Sequence, residues 1–368
     1  MKKLTHFTLH LMLMLLILVG LLSGCASLSS KVTSESTTSV LPENTESADN
    51  NTKIAIVFAT GGLGDKSYND MVYDGAMRAE KELGVLIQYV EPNEIAEFEG
   101  HHREFAKSKN YDLIMGVGFD QTDAITKVAA EFPEQRFLWI DGTGGSDNIA
   151  SVAFKDHEKA FLMGILVGMN TETNKVGFIG GMDIPLIEQY AAGYEAGLNY
   201  INPNIEMTKK FVGAWNDVNT AKELALSIYD AGADIIYSAA GGSSIGVHAA
   251  AKDADKLSAS STGNMIGLDP DHIIACSVRN LDEVVYQYIT KVADGSFEPG
   301  TYLEGLAEGA VGIVNEGSNV NLVPSTLDVM QQAERDIISG KLAIPFDMAE
   351  YEDFKARLVS GEIERPVN

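Results

Sequence analysis

The chain has 368 residues, 45% of them hydrophobic, and carries 52 Asp and Glu against 27 Lys and Arg, a formal net charge of −25. A folded region of this length exceeds what one hydrophobic core usually supports, so more than one lobe is expected. The acidic balance, with no basic cluster in the sequence, argues against nucleic acid and against polyanionic ligands, because binding either depends on cationic side chains.

The N-terminus has the pattern of an export signal. Two lysines precede an apolar run at 11–22, which is shorter than the roughly 20 residues that cross a bilayer. The run ends in the letters LSGC, small residues before Cys25, as in a bacterial lipobox. We therefore expect a signal peptide over 1–24 and a lipid on Cys25 that holds the protein at the cell membrane, facing outside the cytoplasm. The alternative is an ordinary signal peptide with a chance Cys, but Cys276 is the only other cysteine, and lipid explains an unpaired terminal Cys better than a disulfide does.

A polar segment follows the cysteine. Residues 25–52 are rich in Ser, Thr, Asn and Glu and contain few large apolar side chains. Such a composition cannot bury enough surface to offset the entropy of ordering the chain. We therefore expect a flexible tether and a folded part over 53–368.

Short apolar runs alternate with longer amphipathic ones through the folded part. We predict strands at 53–59, 85–90, 112–118, 136–141, 176–180, 233–240, 265–269 and 273–278. This alternation predicts an α/β fold, with mostly parallel sheets flanked by helices.

A weak internal repeat divides the folded part. The strand and glycine pair of KIAIVFATGG return in KVGFIGG, each followed by a helix with small residues. The repeat predicts two similar lobes, the first at about 53–155 plus 273–300 and the second at about 156–272 plus 301–368. Because ligands bind at the carboxyl ends of strands in open α/β sheets, the two lobes should face each other across a cleft.

The stretch FATGGLGDKSYND at 58–70 nearly matches a phosphate-binding loop. It fails the P-loop template because Asp65 separates Gly64 from Lys66, and it fails the dinucleotide template because Ser67 takes the place of the third glycine. Asp65 also puts a negative charge where a phosphate would bind. The loop therefore has the pattern of a ligand-binding loop, but its charge does not suit an anionic ligand. The alternative is that its glycines only form the turn between a strand and a helix.

A second motif offers an enzymatic alternative. The letters GSSIG from Gly242 to Gly246 fit the G-x-S-x-G elbow of a serine hydrolase, with Ser244 as nucleophile and Asp269 and His272 following in hydrolase order. The last two lie only three residues apart, whereas a triad acid and base usually come from separate loops. We rank a hydrolase below a binding protein and expect no enzyme activity, no cofactor and no metal site.

Several blocks occur in order along the folded part: GDKSYND, YDGAMRA, DLIMGVGFDQTDA, FLWIDG, VGFIGGMDIPLIEQYAAGYEAG, GAWND, ADIIYSAAGGSSIGV and GLDPD. Their order and spacing resemble the basic membrane protein (BMP) family of nucleoside-binding lipoproteins from Lys53 to about Leu342. The resemblance implies a fold similar to type I periplasmic binding proteins, with two α/β lobes joined by three crossings. It also implies a monomer that captures a nucleoside, a purine first, for an ABC permease and ATPase. A signalling or host-interaction lipoprotein with no transport role is a further alternative.

The resemblance also implies which residues contact the ligand. Tyr68 and Trp215 would stack on the base, Asp269 would bind ribose, and Arg279 stands where relatives carry a ribose-binding lysine. Relatives often carry Asp where this chain has Ala59. The implied ligand residues are Asp65, Tyr68, Asn69, Asp120, Trp215, Gly241, Gly242, Asp269 and Arg279.

Each of these residues has a purely structural alternative. Tyr68 would be a core residue at a helix start, and Trp215 a packing residue between lobes. Asp269 would cap a turn, and Asp120 would be a carboxylate at a helix N-terminus.

Overall fold

The computed structural model describes residues 51–366, apart from the Thr262 side chain. The expected signal peptide, the lipid site at Cys25 and the tether up to residue 50 lie outside the described residues. Between residues 51 and 366, no helix combines the length and the apolarity needed to cross a membrane.

The first half of the chain alternates strands and helices, as predicted. Its elements are β1 (Lys53–Val57), α1 (Tyr68–Leu83), β2 (Leu86–Val90), α2 (Phe98–Ser108), β3 (Leu113–Val117), α3 (Thr122–Glu131), β4 (Phe137–Ile140) and β5 (Ile149–Phe154). All five residues of β3 and all four of β4 are buried. Burial on both faces is what a parallel strand covered by helices requires, and it explains why these strands appear as unbroken apolar runs.

The second half continues the alternation. Its elements are α4 (Asp156–Asn170), β6 (Lys175–Gly180), α5 (Pro185–Ile201), β7 (Glu206–Phe211), α6 (Val218–Asp230), β8 (Ile235–Ala239), α7 (Ser244–Ala254), β9 (Leu257–Thr262), β10 (Ile273–Arg279), α8 (Leu281–Ala293), β11 (Gly300–Glu304), β12 (Val311–Val314), α9 (Thr326–Ile338) and α10 (Met348–Ser360). Helices α4 and α5 pack closely because Gly164 and Gly197 leave no side chain between them. A Cβ on Gly164 would come within 2.8 Å of the Gly197 Cα.

The strands form two six-stranded sheets. The first sheet has the order β11-β5-β4-β3-β1-β2 and is parallel throughout. The second has the order β12-β10-β9-β8-β6-β7, with β12 antiparallel to its neighbour. The predicted α/β fold with two mostly parallel sheets is confirmed.

The chain passes between the two sheets three times, after β5, after β10 and after β11.

The expected boundaries between the two lobes were wrong at two strands, β10 and β11. Residues 273–279 pair with β9 and β12 in the second sheet, although 273–300 was expected in the first lobe. Strand β11 pairs with β5 in the first sheet, although 301–368 was expected in the second lobe. The chain leaves the second sheet one strand later than the sequence pattern indicated, and it returns one strand later.

One predicted strand is also wrong. Residues 266–268 form a short 3₁₀ turn, and the strand of this region is β9, which the prediction missed because its letters LSASST are mostly polar. Its Ser258 and Ser260 side chains are buried and bonded, to His248 and to Cys276. Hydrogen bonds of this kind make a polar strand tolerable in the interior of a sheet. The prediction also missed β5, β7, β11 and β12.

Candidate ligand-binding site between the two sheets

A cavity of about 310 Å³ lies where the carboxyl ends of strands from both sheets meet. Its wall contains eight of the nine residues that the sequence implied: Asp65, Tyr68, Asn69, Asp120, Trp215, Gly241, Gly242 and Arg279. Leu186, Ile187 and Tyr190 add an apolar surface from the second half of the chain. Asp269 is not part of this wall.

The glycine-rich loop at 58–70 forms one side of the cavity. Its backbone N–H groups are occupied by the chain's own carboxylates: Glu91 accepts from Leu63 at 2.9 Å, and Asp70 accepts from Lys66 at 2.9 Å. Asp65 accepts from the N–H groups of Ser67 and Asn69, each at 2.8 Å. Burial raises the pKa of Asp65, while these backbone bonds oppose the rise. The donors that would bind a phosphate in a P-loop are therefore already used within the protein.

Tyr68 and Asn69 open helix α1 and have different surroundings. The Tyr68 ring lies 6.0 Å from the Arg279 guanidinium carbon, and burial raises the pKa of the Tyr68 hydroxyl well above its usual value. The Asn69 amide accepts from the Ala59 N–H at 3.2 Å and donates to the Gly62 carbonyl at 3.0 Å. Asn69 therefore shapes the loop, whereas the Tyr68 ring contributes an aromatic surface to the cavity.

Trp215 enters the cavity wall from the second half of the chain. Its ring lies so close to Gly181 that a Cβ there would come within 2.4 Å of it. Its carbonyl accepts from the Ser243 N–H at 3.0 Å, and the Ser243 hydroxyl donates to the Ala214 carbonyl at 3.1 Å. The segment before α6 is thus tied to the glycine turn at 241–243, which brings Trp215, Gly241 and Gly242 into one wall. Gly241 has a φ of +56°, a conformation that glycine adopts without strain.

Asp120 lies in the 3₁₀ turn before α3. Its Oδ1 is buried without a hydrogen-bond partner, and its Oδ2 lies 3.5 Å from the Thr60 hydroxyl. Burial raises the pKa of this carboxyl group. An unpartnered buried acceptor in a cavity wall is suited to a ligand that offers an N–H or O–H group.

A buried amide holds this part of the wall from behind. Gln121 donates to the carbonyls of Val57, Phe58 and Val117 at 2.9, 3.2 and 2.8 Å. Its own carbonyl oxygen lies 2.6 Å from Nε2 of His102. The carboxyl ends of β1 and β3, which lead into the two cavity loops, are therefore fixed relative to each other. Neither Gln121 nor His102 was predicted from the sequence to support the site.

Arg279 ends β10 and belongs to a buried charge cluster. It bonds to Asp141, which follows β4 in the first sheet, with Nη1 to Oδ2 at 2.9 Å. It also forms a two-point pair with Asp156, whose Oδ1 lies 3.0 Å from the Lys159 ammonium. Burial acts to lower the pKa of Arg279, but the two carboxylates outweigh it and raise that pKa above its usual value. Burial lowers the pKa of Lys159 to about 8, against the opposing charge of Asp156.

Asp269 lies outside the cavity, bonded to Nδ1 of His272 at 3.0 Å and 3.5 Å from the Lys252 ammonium. Because β9 ends at Thr262, the following turn carries Asp269 past the cavity edge.

Asp141 is a carboxylate of the cavity wall that was not predicted from the sequence. It is the last residue of the predicted strand RFLWID at 136–141, so the rule that ligands bind at strand carboxyl ends could have identified it.

The G-x-S-x-G motif does not form a triad with the residues proposed for it. Ser244 is buried at the start of α7. His248 bonds to the Ser258 hydroxyl at 2.8 Å, and His272 bonds to Asp269. The Asp269–His272 bond is one that a triad would contain, but among the described residues no hydrogen bond joins His272 to the Ser244 hydroxyl, so the arrangement does not favour the hydrolase.

Two α/β halves with a cavity between their sheets define a fold similar to that of type I periplasmic binding proteins. A solved ABC transporter solute-binding protein from Aeropyrum pernix K1 matches with a TM-score of 0.75 at 28% identity, covering 86% of this chain and 100% of that one. The family model described as "ABC transporter substrate-binding protein PnrA-like" matches residues 52–346. The chain belongs to this Bmp family of substrate-binding proteins, and the predicted family is confirmed.

Two curated relatives are similar over nearly the whole chain. The ABC transporter nucleoside-binding protein BmpA of Lactococcus lactis subsp. cremoris is 28% identical over 89% of this chain and 95% of its own length. An uncharacterized lipoprotein of Pyrococcus abyssi is 29% identical over 96% of each chain. Both matches extend across the two sheets and the cavity between them.

Proposed function

We propose that the protein captures a nucleoside, a purine first, outside the cytoplasm and delivers it to an ABC permease and its ATPase. The observation that carries the proposal is the composition of the cavity, where Tyr68 from one half and Trp215 from the other share a wall with Asp120 and Asp141. Aromatic faces suit a flat base, and carboxylates accept bonds from ribose hydroxyls and ring N–H groups. The nucleoside-binding relative in Lactococcus supports the same ligand class.

The ligand is bound without chemistry in this proposal. The carboxylates in the wall disfavour an anionic ligand. Movement of the two lobes around the bound nucleoside would present the loaded protein to the permease. The contacts expected for the ligand are with Tyr68, Trp215 and Asp120. Asp65 and Asn69 support them by shaping the loop at 58–70.

Calorimetry with the purified protein tests the ligand class. Adenosine, guanosine, inosine, uridine, adenine and ribose are titrated separately at neutral pH. Purine nucleosides should bind more tightly than free base or free ribose, because only a nucleoside engages both the aromatic and the polar parts of the cavity. Tight binding of a sugar, with no binding of any nucleoside, would contradict the proposal.

We also propose that a lipid on Cys25 anchors the protein at the membrane. The support is the apolar run ending in LSGC and the lipoprotein relative in Pyrococcus. Cys25→Ser should move the protein from the membrane fraction to the soluble exported fraction, and Cys276→Ser is the control, because Cys276 is buried in the second sheet. Unchanged membrane partition of Cys25→Ser would contradict the anchor.

A further inference from the structure

Arg279 brings a guanidinium to the cavity wall. A guanidinium in a cavity wall is normally a strong site for phosphate or carboxylate, because it offers several donors in a fixed fork. The charge of the ligand that this cavity accepts therefore depends on what occupies the donors of Arg279.

Two carboxylates occupy those donors, and they differ in position. Asp156 accepts a hydrogen bond from Nε at 2.8 Å and a second one from Nη2. It is fully buried and is not part of the cavity wall. Asp141 takes Nη1 at 2.9 Å and lines the cavity together with Arg279. Asp141 is thus the carboxylate on the ligand side of the guanidinium.

The charges in the cluster balance only with Asp141 present. Asp156 is shared between Arg279 and the fully buried Lys159. Two cations then face two carboxylates, and removal of Asp141 leaves one positive charge unbalanced beside the cavity. That charge would attract an anionic ligand group.

The backbone at Asp141 fixes its carboxylate in place. Its φ is +64°, a left-handed conformation that Asp and Asn adopt more readily than most residues and that glycine adopts freely. Its N–H donates to the Val152 carbonyl at 2.8 Å. Asn or Gly can therefore replace Asp141 without new backbone strain.

The loop at 58–70 shows the same arrangement on a second element. Its anion-binding N–H groups are occupied by Asp65, Asp70 and Glu91. Both potential phosphate-binding elements of the cavity wall are neutralised by carboxylates of the chain itself.

We propose that Asp141 is a specificity-determining residue that makes the cavity reject phosphorylated ligands by occupying the ligand side of Arg279. The inference rests on the proposed nucleoside function and deepens it, since it names the residue that separates nucleosides from nucleotides. Without Asp141, Arg279 would bind the phosphate of a nucleoside monophosphate.

Adenosine and adenosine 5′-monophosphate are titrated by calorimetry into the parent and into Asp141→Gly. The parent should strongly prefer adenosine. In Asp141→Gly the ratio of the two dissociation constants should shift toward the monophosphate by about 10- to 100-fold, the range expected for a hydrogen bond to a charged group. Equal rejection of the monophosphate by both proteins would overturn the inference, and so would a parent that binds both ligands equally.

Two further variants test whether the shift comes from freeing Arg279 or only from removing one negative charge from the cavity. Asp120→Gly removes a carboxylate from the same cavity but leaves Arg279 paired, so its ratio should shift far less than that of Asp141→Gly. An equal shift in Asp120→Gly would overturn the inference. The double variant Asp141→Gly with Arg279→Gln should lose the gained monophosphate affinity, and retention of that affinity would also overturn it.

Two further measurements apply if Asp141→Gly does not fold or if the parent binds no nucleoside. If Asp141→Gly does not fold, Asp141→Asn replaces it. Asn keeps an oxygen that can face Arg279 and removes the charge, so we expect a smaller shift of the same sign. The absence of any shift in Asp141→Asn would overturn the inference. If the parent binds no nucleoside, the proposed function fails, and inorganic phosphate becomes the probe. Phosphate binding by Asp141→Gly, absent from the parent and from the double variant, then supports the inference, and its absence from Asp141→Gly overturns it.

Discussion

Trp215 is a half-buried ring in the cavity wall, and its environment allows a direct test of stacking. Base–aromatic stacking contributes roughly 1–3 kcal/mol, and about 1.4 kcal/mol corresponds to a factor of ten. Trp215→Ala should therefore weaken purine nucleoside binding about 5- to 150-fold in calorimetry. Trp215→Phe should lose much less, because a ring face remains.

Fluorescence gives an independent readout of the same residue. The chain has one other tryptophan, Trp139, which is 2% exposed and donates to the Gly118 carbonyl at 3.0 Å. Nucleoside should change the emission of the parent mainly through Trp215, and ribose should change it little. If Trp215→Ala folds and binds nucleoside as tightly as the parent, Trp215 is an ordinary packing residue.

At the scale of elements, the end of β9 touches the start of α1 across the two halves. A Cβ on Gly263 would lie 3.0 Å from the Ser67 Cα and 3.1 Å from the Lys66 carbonyl oxygen. Both neighbours are backbone atoms, which cannot move aside as a flexible side chain would. A larger residue at 263 should therefore hold the two elements apart.

We expect Gly263→Val to disfavour the closed arrangement of the two halves. If the closed form falls to a tenth of its population, apparent nucleoside affinity falls about tenfold. Small-angle scattering with saturating nucleoside should also show a larger radius of gyration than in the parent. Gly267→Val is the matched control, since it has a similar sequence position and no atom within 4 Å of its Cβ site. Parent-like affinity and scattering in Gly263→Val would show that this contact does not govern closure.

At the scale of the whole molecule, three buried histidines link folding to pH. His102, His157 and His248 are each buried, and burial lowers the pKa of each to about 4. An unfolded histidine has a pKa of about 6.5, so the unfolded chain binds more protons between these values. The free energy of unfolding should therefore fall as pH drops from about 6.5 to 4, with each histidine contributing up to about 1.4 kcal/mol per pH unit.

Denaturant unfolding at a series of pH values tests this linkage. His248→Gln should show a shallower loss of stability than the parent below pH 6.5. Above pH 7 the two proteins should respond to pH in parallel, because the histidine is then neutral in both states. Identical slopes in the acid range would mean that protonation of His248 does not oppose folding. Burial raises the pKa of Asp65 and Asp120, which acts in the opposite direction, so the comparison with the variant is more informative than the parent curve alone.

Much of this molecule is determined by local patterns in its sequence. Parallel strands buried on both faces, such as β3 and β4, must be continuous apolar runs, and their order with the intervening helices fixes the fold class. Trp215, Gly241 and Arg279 were identified through the family blocks, and the structure brings them into one cavity wall. These residues lie at or near strand ends, so a local sequence pattern that locates the strand end also locates the cavity.

Only the tertiary structure decided the remaining features, because they depend on partners distant in sequence. The polar strand β9 is stable because Ser258 and Ser260 find buried partners, and the apolar letters at 265–269 form a turn instead. That difference moves Asp269 out of the cavity. The sheet that holds β10 depends on pairing with β9 and β12, which periodicity does not encode. The role of Asp141 follows from Arg279, 138 positions further along the chain, since a carboxylate becomes a specificity determinant only where folding brings it to a buried cation.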